Sequence, residues 1–485
     1  MKTFAINTLG CKVNQYESQQ IRELLERLGL YPLETADKPD LVVINTCCVT
    51  HAASAKSRQY IRKAQKLSPD AVIVVSGCLP AVQIGELNNP GGNLHLIRRQ
   101  DELAATLSQI VYGKAATSNA QGPQPYPNII RTKNASQIKH KNKLAEQPQL
   151  TPLTAFKGQT RAFLKIQDGC DGHCSYCIIP KTRPYVRSKP AEAALQEAQA
   201  LVEAGHKEIV VTGIFLGAYG QTSVRRKNWD KPQNDKLADL LEKMAKIPNL
   251  ARIRLSSLEP TDVTPRLLDT FCKHRNIMPH LHLSLQSGSS KILKKMCRQY
   301  KIDEFTTTIE LIKSRLDRAA ITADVIVGFP GETDTDFQQT VDVAREVGFA
   351  KMHVFSFSAR KGTAAAAMQG VVDNRVIKER SKILHNIDVT LGEKFREKFI
   401  GETVTVLLEN SNGAICGRSE RYFMVYLEKT GKKLKKNELV RVKLTENSEN
   451  VAIGQAIKGE NKAEIWLSEK PISYQTERPS FYANA

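Results

Sequence analysis

A chain of 485 residues, 41% hydrophobic and 25% charged, has room for about three domains and the make-up of a soluble globular protein. Its 70 Lys and Arg against 50 Asp and Glu leave a net charge of +20, which predicts a polyanionic partner, nucleic acid before any other. No apolar run nears the roughly 20 residues of a membrane span and none follows the basic start, so neither membrane insertion nor secretion is expected, and the 10 Cys are expected reduced, in the cytoplasm, as metal ligands rather than disulfides.

Residues 1–112 read as a first domain. Short apolar, β-branched runs at residues 2–8, 41–46 and 71–77 predict buried strands. A helix is predicted at residues 15–28, with Ile21, Leu24, Leu25 and Leu28 at helical spacing and Gly29 as its stop. A second is predicted at residues 52–67, ended by Ser68-Pro69. Alternation of this kind builds a doubly wound parallel sheet. Cys11, Cys47 and Cys78 each come just after one of the three strands. Those strand ends share the edge of a parallel sheet where ligands bind, so thiols far apart in sequence are expected to meet as a three-thiolate cluster site, unless they are simply three buried thiols. Cys48 could compete with Cys47, but Cys47 follows its strand as the other two do, and Cys48 is read as a spectator.

Residues 113–150 are rich in Ala, Ser, Asn, Gln and Pro and read as a linker. Lys114, Arg131, Lys133, Lys139, Lys141 and Lys143 against Glu146 make it basic enough to touch phosphate, or merely well solvated. The central domain, residues 151–400, opens on a strand at 162–168 that feeds into Gly169-Cys170-Asp171-Gly172-His173-Cys174-Ser175-Tyr176-Cys177. The C-x3-C-x2-C spacing supplies three thiolates with no fourth nearby. A closed electron-transfer cluster or a tetrahedral zinc wants four ligands, and His173 lies on a loop too short to ligate without strain. The set fits an iron–sulfur cluster with one open iron, and the guest suited to that iron is S-adenosylmethionine, which can chelate it through amino and carboxylate groups. A structural zinc knuckle or buried thiols is the plainer alternative.

Further strands are predicted at residues 208–213, 252–257, 280–285, 321–328 and 352–358, and helices at 191–204, 236–246, 264–274, 303–316, 335–347 and 375–399. Six strand–helix units make an incomplete version of the eight-fold α/β barrel, whose sites lie at the C-terminal ends of the strands. Gly213 follows the second strand, Ser284, Gln286 and Ser287 the fourth, and Gly328 and Gly331 the fifth. Glycines there admit a ligand to the backbone and small polar groups suit a ribose, although each loop alone could be only a turn. Cys272 and Cys297 fall in helical contexts without partners at metal spacing. Residues 401–460 alternate short strands, at 402–408, 414–418, 422–427 and 438–444, with Gly, Asn and Lys turns, as in a small β-barrel. Lys432-Lys433-Leu434-Lys435-Lys436 sits in one turn, where lysines can track phosphates without reading sequence. Residues 461–485 show no pattern and read as a tail.

The Cys170–Cys177 spacing, with Tyr176 in the aromatic slot, resembles the signature of the radical S-adenosylmethionine superfamily. Thr8-Leu9-Gly10-Cys11-Lys12-Val13-Asn14-Gln15-Tyr16-Glu17-Ser18, Asn45-Thr46-Cys47-Cys48-Val49-Thr50 and Ser76-Gly77-Cys78 look like the amino-terminal domain of the methylthiotransferase family; Cys48 stands where that family commonly has Thr. The resemblance runs over about residues 1–460, through the runs Gln286-Ser287-Gly288-Ser289 and Gly328-Phe329-Pro330-Gly331-Glu332-Thr333 to a C-terminal barrel similar to the TRAM domain. It implies one 4Fe–4S cluster on Cys170, Cys174 and Cys177 that binds S-adenosylmethionine, and an auxiliary 4Fe–4S cluster on Cys11, Cys47 and Cys78. It implies S-adenosylmethionine contacts at Gly213, Ser284, Gln286, Ser287, Gly328 and Gly331, and assigns no catalytic side chain. The run Leu9-Gly10-Cys11-Lys12-Val13-Asn14 resembles the branch that acts on N6-threonylcarbamoyladenosine beside the anticodon of tRNA, more than the branches acting on isopentenyladenosine or on a ribosomal-protein aspartate. The implied partners are a tRNA anticodon stem-loop and a flavodoxin- or ferredoxin-like electron donor. A non-catalytic iron–sulfur RNA-binding protein is the remaining alternative.

Overall fold

The apolar runs that open the chain form the sheet they predict. In the computed structural model, which describes residues 1–82, 93–113, 150–231, 233–410, 413–428 and 434–457, the first domain contains β1 (Thr3–Thr8), α1 (Lys12–Arg27), β2 (Tyr31–Pro32), β3 (Leu41–Thr46), α2 (His51–Leu67), β4 (Val72–Gly77), α3 (Cys78–Val82), β5 (Leu94–Leu96) and α4 (Leu103–Tyr112). The strands pair in parallel in the order β2–β1–β3–β4–β5. Central β3 is buried at every residue, as a Val/Ile run covered on both faces must be. Thr50 starts α2 by accepting a hydrogen bond from the Ala53 amide at 3.1 Å. The basic residues of the linker at 114–149 and the tail beyond 457 lie outside the described residues.

The central domain follows with β6 (Ala162–Lys165), β7 (Gln167–Asp168), α5 (Ile179–Thr182), β8 (Arg187–Ser188), α6 (Ala191–Glu203), β9 (Glu208–Thr212), α7 (Lys236–Met244), β10 (Arg252–Leu255), β11 (Ser257–Leu258), α8 (Pro265–Lys273), β12 (His280–Gln286), α9 (Ser290–Lys295), α10 (Ile302–Arg315), β13 (Ala320–Val327), α11 (Asp334–Val347), β14 (Lys351–Ser356) and α12 (Asn374–Glu397). β6, β9 and β10 pair in parallel, and β11 takes the same line onward to β12, β13 and β14. The result is a six-stranded partial barrel, open between β6 and β14, with its main apolar core between strands and helices. Thr333 and Asp336 cap α11 reciprocally, and Gly348 in the left-handed region (φ 68°) ends it.

The first domain grips both lips of that opening. On the β6 side Lys165 Nζ reaches Glu17 at 2.9 Å, and Tyr16 Oη donates to Glu197 Oε1 at 2.7 Å. Beyond β14, the His51 amide donates to Ser358 Oγ at 3.0 Å and Arg360 Nη2 to Ser54 Oγ at 2.8 Å.

The C-terminal barrel comprises β15 (Thr403–Asn410), β16 (Cys416–Ser419), β17 (Met424–Leu427), β18 (Leu439–Asn447) and β19 (Ala452–Ala456). Four strands are expected from the sequence; β19, with the weak strand sequence Ala-Ile-Gly-Gln-Ala, is the fifth and closes the barrel between β17 and β18. Of the lysine turn, Lys432 and Lys433 lie outside the described residues, and Lys436 Nζ donates to Gly158 O at 3.2 Å. The barrel docks on the N-terminal ends of the central strands, away from the cysteines. Arg252 Nη1 donates to Arg418 O at 2.9 Å, Arg254 Nη1 to Glu420 O at 2.9 Å and Nη2 to Ser419 O at 2.6 Å. Both guanidinium groups are fully buried, and Glu208, equally buried, answers them through Arg254 Nε at 2.8 Å and Arg252 at 3.5 Å. Burial alone would raise the Glu208 carboxyl, yet Arg254, Arg252 and Arg161 hold it below the usual carboxylate value. Glu208→Gln is therefore expected to cost about 3–5 kcal/mol of stability, read as a lower denaturant midpoint, because two buried cations lose their counter-charge.

Candidate functional site

Each cysteine of the first domain is presented by a backbone feature at a strand end. Gly10 (φ 105°) turns the chain after β1, and a Cβ there would stand 2.9 Å from the Cys47 Cβ. Gly77 (φ 87°) turns it after β4, where a Cβ would meet Thr46 O at 2.4 Å. Asn14 joins the loops by donating through Nδ2 to Leu9 O at 2.8 Å and Thr46 O at 2.9 Å, and Asn45 Nδ2 returns a bond to Asn14 O at 2.9 Å. Cys11, Cys47 and Cys78 consequently lie within electrostatic range of one another, as the strand-end placement predicts. Burial pushes the Cys47 thiol up to about 11. A hydrogen bond from the Cys48 thiol and the charge of Arg183 hold Cys78 down to about 6 against its burial. Cys48 itself is buried in the apolar cluster of β3, β4 and α2, its Sγ 3.3 Å from Cys78 O.

In the second group, Gln167 Nε2 donates to Gly169 O at 2.8 Å, and Gly169 (φ 77°) passes so close to the segment after α5 that a Cβ would overlap Tyr185 O. The Cys170 amide donates to Arg183 O at 2.9 Å. The Asp171 carboxylate accepts from Ser223 Oγ at 2.7 Å and the Val224 amide at 2.8 Å, pinning the loop to the segment beyond β9. Gly172 N donates to Cys170 Sγ at 3.3 Å and Arg298 Nη1 to Cys174 Sγ at 3.2 Å. Arg298 also donates to Tyr176 Oη at 3.2 Å and forms an ion pair with Glu259 at the end of β11. Burial raises all three thiols, Cys170 and Cys177 to about 12. Such thiols become thiolates when a metal displaces their protons.

Among the described residues no three of His, Cys, Asp or Glu converge as they would on a single ion. Cys170, Cys174 and Cys177 nonetheless lie within electrostatic range of one another. Three thiols without a fourth donor suit an iron–sulfur cluster with one open iron, whereas a tetrahedral zinc wants four ligands.

Arg183 connects the two groups, and sequence reasoning gives it no role. Its guanidinium donates to both oxygens of buried Glu17 at 2.7 Å and to Asp168 Oδ1 at 2.9 Å, and its charge acts on Cys78, while its carbonyl receives the Cys170 amide. Arg298 and Glu259 were equally silent in the sequence, since a buried ion pair between distant loops leaves no periodic signal. Cys297, expected in a helix, lies past the end of α9 in the left-handed region (φ 56°), within electrostatic range of Cys174.

The proposed cofactor contacts all fall at the strand ends on the cysteine side. A Cβ on Gly213 would meet the Gln167 Cβ at 2.9 Å, so its space goes to Gln167. Gln286 adopts φ 61° where β12 bulges after Ser284, whose carbonyl accepts from Tyr300. Ser287 is buried against Thr340 of α11, at 3.5 Å. The Gly328 amide donates to Glu332 Oε2 at 2.6 Å, and the Gly331 amide to Gly370 O at 2.7 Å.

Residues 164–344 match the Radical SAM superfamily, and residues 3–97 the family described as Uncharacterized protein family UPF0004. The threonylcarbamoyladenosine tRNA methylthiotransferase MtaB of Chlamydia pneumoniae is 36% identical over 94% of this chain and 98% of its own. MtaB of Bacillus subtilis is 34% identical over 92% and 94%. The tRNA-2-methylthio-N(6)-dimethylallyladenosine synthase of Thermobifida fusca is 33% identical over 85% and 79%. Among solved structures, the radical S-adenosylmethionine methyltransferase TsrM of Kitasatospora setae superposes with a TM-score of 0.49 at 14% identity, covering 73% of this chain and 72% of that one. No described helix is long and apolar enough to cross a membrane. With identity above 30% across nearly the whole of both chains, this chain belongs to the radical S-adenosylmethionine tRNA methylthiotransferase family.

Proposed function

We propose that the chain installs a methylthio group at C2 of N6-threonylcarbamoyladenosine beside the anticodon of tRNA. The observation that carries this reading is the pair of three-cysteine groups, tied together through Arg183, which holds Glu17 and receives the Cys170 amide, together with relatives of that name over as much as 94% of the chain. In the proposal Cys170, Cys174 and Cys177 hold the cluster that binds S-adenosylmethionine, and Cys11, Cys47 and Cys78 hold an auxiliary cluster. The first cluster, when bound, supplies the electron that cleaves S-adenosylmethionine to a radical able to attack an unactivated C–H bond. The protein's own part is positional. Arg298 and the Gly172 amide steady two of the sulfurs, Asp171 anchors their loop, and Arg183 ties that loop to Glu17 of the first domain. Gly213, Ser284, Gln286, Ser287, Gly328 and Gly331 edge the space assigned to S-adenosylmethionine. The net charge of +20 favours a polyphosphate partner, and the C-terminal barrel is assigned the RNA stem. A flavodoxin- or ferredoxin-like protein is proposed as electron donor.

Nucleoside mass spectrometry of tRNA from a strain lacking the gene tests the substrate. The expected outcome is loss of 2-methylthio-N6-threonylcarbamoyladenosine with accumulation of its unthiolated precursor, both reversed by restoring the gene. Loss of the 2-methylthio-isopentenyladenosine nucleoside instead would move the chain to the other tRNA branch.

A further inference from the structure

The sulfurs of the second cysteine group do not keep equal company. Cys170 Sγ accepts from a neutral backbone amide, that of Gly172, at 3.3 Å, whereas Cys174 Sγ accepts from a guanidinium, Arg298 Nη1, at 3.2 Å. That cation is built in. Its side chain is 6% exposed, and Glu259, equally buried, pairs with Nη2 on the other arm of the fork. Nη1 also reaches Tyr176 Oη at 3.2 Å, and the guanidinium carbon lies 5.2 Å from the centre of the Tyr300 ring. Tyr300 is fixed in turn by donating to Leu285 O at 2.8 Å at the end of β12.

The backbone that carries Arg298 is tied to the cysteine loop itself. Ser175, between Cys174 and Tyr176, donates its amide to Met296 O at 3.0 Å and its hydroxyl to Lys295 O at 2.8 Å. The Arg298 amide donates to Leu293 O at 3.0 Å, and Gln299 Nε2 to Val224 O at 3.0 Å. The guanidinium cannot swing away from the sulfur without leaving Glu259 buried and uncompensated. Yet Arg298 Nε and Glu259 Oε2 are buried with no hydrogen-bond partner among the described residues. A buried ion pair with two unsatisfied atoms adds little net stability. What it does accomplish is to hold a positive charge against one sulfur, in surroundings where water screens it weakly.

We propose that Arg298 raises the reduction potential of the cluster held by Cys170, Cys174 and Cys177, and that Glu259 limits the rise. This rests on the assignment of those three cysteines to a cluster. Reduction adds one electron, so a cationic donor to a ligand sulfur stabilises the reduced state more than the oxidised one. Glu259 acts in the opposite sense and more weakly, because it stands behind the guanidinium and not against the sulfur.

The test is an anaerobic potentiometric titration of the full, cluster-reconstituted chain, followed by electron paramagnetic resonance, with iron per chain measured alongside. The relevant signal is the one that changes when S-adenosylmethionine is added. Arg298→Met is expected to lower the reduction equilibrium constant of that cluster ~10- to 100-fold, which is ~59 to 118 mV for one electron. Glu259→Gln, which keeps the cation and its bond to sulfur, is expected to shift the potential the other way. The double variant Arg298→Met/Glu259→Gln leaves no charge buried alone and is expected to stay below the wild type. A general loosening of the loop would move all three in one direction. An iron-replete Arg298→Met or double variant at the wild-type potential would overturn the inference, as would a Glu259→Gln chain whose potential is unmoved or lowered. If no signal of the wild type responds to S-adenosylmethionine, the cluster assignment beneath it falls instead.

Discussion

Alanine in place of Cys47 is expected to drop iron from about eight to about four atoms per anaerobically reconstituted chain, to leave reductive cleavage of S-adenosylmethionine running, and to cut methylthio product by at least ~10³-fold. The same pattern is expected for Cys11 and Cys78, because the three thiols lie within electrostatic range at one sheet edge. Alanine at Cys174 is expected to remove cleavage and product together, since Cys170, Cys174 and Cys177 form the other group. Cys48→Ala is expected to leave iron at the wild-type level, because the Cys48 thiol acts on Cys78 through a hydrogen bond and takes no iron itself. Iron and sulfide analysis, 5′-deoxyadenosine release and nucleoside mass spectrometry separate these outcomes. A Cys47→Ala chain that kept its full iron and its product would remove the auxiliary site.

Arg183→Met has the second large effect. It strips Glu17, which is fully buried, of two 2.7 Å bonds and leaves Lys165 as its remaining cation. Removing one partner of such a pair costs about 3–5 kcal/mol, because the other charge stays buried. Burial raises the Glu17 carboxyl, and Arg183 and Lys165 together bring it below the usual value. A depressed carboxyl stabilises the fold above its unfolded pKa, and that contribution is lost only as pH falls through the lower folded value. The wild type is therefore insensitive to this group between about pH 8 and 5. In the variant the carboxyl titrates upward, so lowering the pH over that interval should narrow the stability gap. Denaturant unfolding at several pH values checks the sign; a gap constant from pH 8 to 5 would rule out Glu17 as its source. Arg183→Lys should recover only part of the loss, since an ammonium cannot span both oxygens as the guanidinium fork does.

Legibility in the sequence followed the range of the interactions. Strand–helix alternation is local, and the predicted helix at residues 335–347 differs from α11 by one residue at its start. The cysteine groups were legible because strand ends share an edge in any parallel sheet. β19 was not, since Ala-Ile-Gly-Gln-Ala carries no strand signal and forms only because β17 and β18 leave a gap for it. Arg183, Arg298 and Glu259 were illegible for a different reason: their partners are far off in the chain, and a lone charged residue reads as surface until the fold buries it. At Gly213 the glycine also answers to packing, since a Cβ there would stand 2.9 Å from the Gln167 Cβ.

The clasp of the first domain on both lips of the barrel has a bearing on turnover. Lys165 and Arg183 lock one lip and Arg360 the other, so the walls that carry the two sets of sulfurs cannot drift apart without exposing several charges at once. Their separation is a constant of the architecture. Opening that frame would break the Glu17 pairs with Lys165 and Arg183 on one side and the Arg360 contact with Ser54 on the other.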